Sequence, residues 1–102
     1  MVIKYNITIY EEAIEKNLDR ITNQIFKLLH LREEGSNWQS PLNNLILEIA
    51  GMAELLKDKV NLFLLLCKME SLLGLTSDDD FLNYRKIIFE CLGIINNIKK
   101  CL

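Results

Sequence analysis

A chain of 102 residues is long enough to bury one core without a metal or disulfide to hold it. Half of it is hydrophobic (50%) and 25% is charged, a balance too apolar for intrinsic disorder. A formal net charge of −2 argues against a general nucleic-acid binder, which neutralises phosphates through a basic excess or a basic face.

Met1 to Ile7 alternates apolar Ile3, Tyr5 and Ile7 with mostly polar residues, a short period-two pattern that predicts an N-terminal arm folded over the domain. It contains no apolar core of a secretory signal. Helix 1 is expected over about 8–34. Thr8 and Glu11 make the S/T-x-x-E capping box at its start. Ile14, Leu18, Ile21, Ile25 and Leu28 then recur at spacings of four and three, with Leu29 widening the stripe. Gly35 follows as the natural residue past a helix C-terminus.

Gly35 to Gln39 is the longest obvious loop, and Ser40-Pro41 predicts the opening of helix 2 over about 40–57. That helix is apolar over most of its circumference and holds Gly51 in its interior, which calls for a neighbouring helix in close approach. Asp58 is the expected N-cap of helix 3, about 59–73, again apolar nearly all round and closed by Gly74. Ser77 and the acids Asp78, Asp79 and Asp80 open helix 4, about 77–100, on the positive end of its dipole. Its stripe is Phe81, Tyr84, Ile88, Cys91, Ile95 and Ile98, with Lys99 and Lys100 at its C-terminal end.

Short connections favour antiparallel neighbours, so the expectation for residues 8–102 is a single all-α domain, an antiparallel up-down four-helix bundle. One pole then collects Glu33, Glu34, Trp38, Asp78, Asp79 and Asp80, the candidate partner-binding residues. The opposite pole collects Lys57, Lys59, Lys99 and Lys100, a candidate basic patch. Helices 2 and 3 are more apolar than the stripe of roughly 100° that a surface helix buries. Either helices 1 and 4 flank both sides of that hairpin, or a second chain covers the rest. The expectation is self-association, as a homo-oligomer, or a stable protein partner.

Chemistry is sparse. His30, the only histidine, falls off the helix 1 stripe with no nucleophile near it in sequence. Cys67, Cys91 and Cys101 form an odd set without CxxC spacing; two lie on expected core stripes, and all three read as free thiols of a cytoplasmic protein. A Cys₃His zinc site would need ligands from separate places rather than close pairs on turns. The Asp78–Asp80 run lacks the alternation, glycine and distal glutamate of an EF-hand. Neither a Gly-rich phosphate loop nor G-x-S-x-G is present. No apolar run reaches the roughly 20 residues that a membrane span requires.

These absences predict no catalytic residue, no cofactor and no metal. Trp38 has two readings: a plug folded over the end of the bundle, or an aromatic anchor for a partner's pocket. The expected function is a regulatory protein-binding module without catalysis: an adaptor, inhibitor or immunity-type protein. The alternative is a small subunit of a nucleoprotein complex that meets phosphates through the basic pole.

Overall fold

The computed structural model describes residues 2–53, 56 and 58–100, with side chains from Glu11 onward. Among them run four α-helices and no strand: α1 (Val2–Glu33), α2 (Gln39–Gly51), α3 (Lys59–Leu72) and α4 (Phe81–Lys100), the last preceded by a 3-10 turn at Asp78–Asp80. The fold is an all-α four-helix bundle.

The first helix departs from expectation at its start. It runs continuously from Val2, so the segment 2–7 is helical rather than an extended arm, and Thr8 lies inside the helix instead of capping it. No glycine or proline precedes Gly35, and Ile3, Ile7 and Tyr10 stand at the same four-and-three spacing as Ile14 and Leu18. The short alternation was therefore the overlap of two periods, and the longer one governs. Ile14, Leu18, Ile21, Ile25, Leu28 and Leu29 are all buried, as their spacing predicts. At the far end Gly35 takes φ 74°, with Ser36 N–H donating to the Leu31 carbonyl and Gly35 N–H to that of Arg32. This pair of bonds is a Schellman closure.

The second helix is shorter than its apolar run. Asn37, not Ser40, caps it: its Oδ1 accepts from the N–H groups of Gln39 (3.1 Å) and Ser40 (3.3 Å). Proline in the first turn costs no helical bond, because the first intrahelical donor there is Leu42 N–H, to the Trp38 carbonyl. The helix stops at Gly51 rather than near residue 57. Met52 and Ala53 close the last turn with tighter bonds to Ile49 and Ala50. Gly51 thus spares the helix interior its cost, and no neighbouring helix approaches it: nothing lies within 4 Å of where its Cβ would be.

Asp58 caps α3 as expected, its Oδ1 accepting from Asn61 N–H at 3.0 Å. The Asp78–Asp80 run forms a 3-10 turn, not the first turn of α4, held by Ser77 donating from N–H (3.3 Å) and Oγ (3.1 Å) to the Asp80 carboxylate. Tyr84, Ile88, Cys91, Ile94, Ile95 and Ile98 fill the inner face of α4.

Within the bundle α1 touches α2 and α4, and α3 touches the same two. Arg20 pairs with Glu48, and Asn17 reaches Met52, so α1 and α2 run in opposite directions. Arg32 donates to the Ser77 carbonyl at 2.7 Å while Asp19 holds Lys99, which makes α1 and α4 antiparallel as well. One continuous core results, built almost wholly from leucine and isoleucine with Trp38 and Tyr84 at one end. Each such side chain contributes about 1.5–3 kcal/mol on burial.

Candidate functional site

The expected acidic pole is partly assembled. Glu33, Trp38 and Asp78 border one concavity of about 660 Å³, together with Arg32 and Phe81. Glu34 and Asp79 are exposed beside it without lining it, and Asp80 is occupied by the Ser77 turn. Arg32 intrudes between the acids, so this end is not uniformly negative.

Trp38 takes the first of its two expected readings. It is 6% exposed, with its ring edge-to-face on Tyr84 at 5.0 Å and the Arg32 guanidinium 5.1 Å from its centroid. It therefore plugs the end of the bundle and presents no anchor outward. An indole that packs on a phenol and a guanidinium gains more from that desolvated cluster than from water. Arg32 also lies 4.6 Å over the Tyr84 ring. The Tyr84 hydroxyl and Arg32 Nε have no hydrogen-bond partner among the described residues. Burial pushes the Tyr84 phenol up to about 12, against the pull of Arg32.

Of the expected basic pole, Lys59, Lys99 and Lys100 are among the described residues. Lys99 is engaged by Asp19, and the Lys59 ammonium donates to the Ala53 carbonyl. Lys100 is exposed, and Lys57 lies outside the described residues. His30 is exposed, as its place off the stripe predicts. Cys91 is buried in the core, and burial pushes its thiol up to about 12. Cys67, expected on a core stripe, is exposed instead, because α3 turns that face away from its neighbours. Cys101 lies outside the described residues. No three histidine, cysteine or acidic side chains among the described residues come together as metal ligands. No helix is long and apolar enough to cross a membrane, among the described residues.

The sequence places excess apolar surface on α2 and α3; exposed apolar side chains stand there and also on α1 and α4. Leu47, Val60, Phe63, Leu64, Phe26, Leu82 and Phe89 are exposed. Leu47 lies on α2, and the others lie on α3 or on α1 and α4. On α3, Val60 (79% exposed), Phe63, Leu64 and Cys67 follow one another at helical spacing along the outer face, which neither α2 nor α4 covers.

On the other side Phe26 of α1 meets Phe89 of α4 edge-to-face, with centroids 6.4 Å apart. Two hollows flank Phe89. One, about 430 Å³, is bordered by Thr22, Phe26, Phe89, Leu92, Gly93 and Asn96; the other, about 250 Å³, by Leu82, Arg85, Lys86 and Phe89. Sequence reasoning missed this groove: Phe26 stands among polar residues on the outer side of α1, Phe89 has only Leu82 and Leu92 near it on α4, and the antiparallel pairing of the two helices brings the rings together.

Compared with protein families, with curated proteins and with solved structures, the chain matches none.

Proposed function

We propose that this protein is a small helical interaction module that acts by binding another protein, without catalysis of its own: an adaptor, inhibitor or immunity-type regulator working in the cytoplasm. One observation carries the reading. A bundle whose core is already filled by leucine and isoleucine still turns phenylalanine, leucine and valine side chains into solvent on two faces. Contiguous apolar surface of that kind is uncommon on proteins that work alone. The surface is helical throughout, which suits recognition by packing of helix against helix.

The test is the native mass of the protein in its own cells, followed by cross-linking of whatever accompanies it. A stable hetero-complex with cross-links on α1, α3 or α4 is the expected result. A lone monomer at cellular concentration, with no cross-linked companion, would remove the reading. Nucleic-acid binding has less support, since Lys59 and Lys99 are already engaged within the chain. Affinity for RNA or DNA that falls steeply with salt would restore it.

A further inference from the structure

Gly93 lies in the interior of α4 and is exposed, and nothing stands within 4 Å of the position its Cβ would take. A glycine there costs the helix roughly 0.5–1 kcal/mol relative to alanine. No turn, positive φ or close neighbour among the described residues accounts for it. What it does create is a gap in the wall of α4, one turn past Phe89, and that gap forms part of the floor of the groove shared with Phe26. Apolar Phe26, Phe89 and Leu92 line the groove with polar Thr22, Asn96 and Lys99 among them, a mixed lining of the kind that accepts an amphipathic helix.

Charge indicates the occupant. Arg85 and Lys86 border the adjoining hollow, and neither is ion-paired with a carboxylate among the described residues. Arg85 lies over the Phe89 ring at 5.6 Å. The nearest acid on α4, Glu90, is already held by Lys68. A second copy of the chain is a poor fit. An antiparallel α4–α4 contact centred on Gly93 would set Lys86 of one copy beside Lys100 of the other, a like-charge meeting that works against association.

We propose that the α1–α4 groove is the docking site for an amphipathic, acidic helix of another protein. That helix seats an apolar side chain beside Gly93, against the rings of Phe26 and Phe89, and offers carboxylates to Arg85 and Lys86. Lys86 stands seven residues from Gly93, roughly 10 Å along the helix. The partner therefore carries its acids about two turns from its anchor. This inference rests on the interaction-module reading and narrows it to one face and one partner chemistry.

The experiment is selection of 20-residue amphipathic helices from a displayed library with randomised anchor and flanking positions. Binding of the recovered peptides is then measured by fluorescence anisotropy. The expected peptides carry net negative charge, with acids seven or eight residues from an apolar anchor. Gly93→Leu, which fills the gap without straining the helix, should weaken them at least tenfold. The double variant Arg85→Glu/Lys86→Glu should do the same, and Phe26→Ser/Phe89→Ser gives an independent check on the rings. Val60→Ser/Phe63→Ser on α3 should leave affinity unchanged.

Recovery of no binder, of neutral or basic binders, or of binders indifferent to Gly93→Leu would overturn the inference. So would a dimer of the free protein that Gly93→Leu dissolves. Binding lost only in the α3 variant would overturn it too, while leaving the broader interaction reading intact.

Discussion

The ring of Trp38 stands edge-on to that of Tyr84 at 5.0 Å, and the Arg32 guanidinium covers both. Three elements meet there: the end of α1, the loop before α2 and the first turns of α4. Loop and bundle are thereby one unit, and the loop tryptophan belongs to the core. Trp38→Ala should cost about 3–5 kcal/mol in urea unfolding, the range for truncating a buried large aromatic. Acrylamide should quench the wild-type tryptophan weakly. Strong quenching, or a loss below about 1 kcal/mol, would place the ring outside.

Tyr84 makes the opposite prediction. Its hydroxyl is buried without a partner among the described residues, and leaving such a group unpaired costs about 1–3 kcal/mol. Tyr84→Phe should therefore be neutral or stabilising. A clear loss of stability on chemical denaturation would mean that the hydroxyl is bonded after all. The same burial sets a pH limit. The folded phenol titrates at about 12 against an ordinary value of 10.0, so its contribution to stability is complete below 10 and falls away as pH rises toward 12.

The thiols should separate by reactivity. In a Cys101→Ser background, Cys67 is exposed and should react with a disulfide reagent at the rate of a free thiol. Cys91 is buried, with its thiol held up at about 12, and should react only as fast as the protein opens. Stopped-flow absorbance in native and denaturing buffer measures both phases. Two equally fast phases without denaturant would contradict the placement of Cys91.

Glycine substitutions test the backbone. Gly93→Ala adds a methyl group in open space to a helix interior and should stabilise by about 0.5–1 kcal/mol. Gly35→Ala forces a side chain into φ 74° and should destabilise by about 1–2 kcal/mol. Thermal melts of the two variants should shift in opposite directions.

The Lys68–Glu90 pair links α3 to α4 at the surface. Its hydrogen bond holds the Glu90 carboxyl below its ordinary value and the Lys68 ammonium above its own. The pair's support is thus complete above the ordinary carboxylate range and below the ordinary lysine range. It is lost as pH falls through the lowered Glu90 value or rises through the raised Lys68 value. Glu90→Gln should flatten the acid limb of the stability profile slightly and reduce its salt dependence. An unchanged profile would show that the pair is idle in solution.

Sequence spacing alone determined the four helices seen among the described residues and the inner faces of α1 and α4, though not where α1 starts or α2 ends. Ile14 to Leu28 and Tyr84 to Ile98 recur at helical period against polar neighbours, and such a pattern buries the same way whatever the partner. Gly35 and Asp58 were equally legible, because a chain reversal and a cap are satisfied within a few residues. Tertiary structure decided the rest. Where apolar residues fall on every side, as along α3, period carries little direction, so Cys67 and Phe63 faced outward because α2 and α4 took the other side. Trp38 went inward because the ring of Tyr84, from a helix far away in the chain, stood there beside Arg32 of the helix just before it. The groove of Phe26, Phe89 and Gly93 is a property of two antiparallel helices, and neither helix contains it alone.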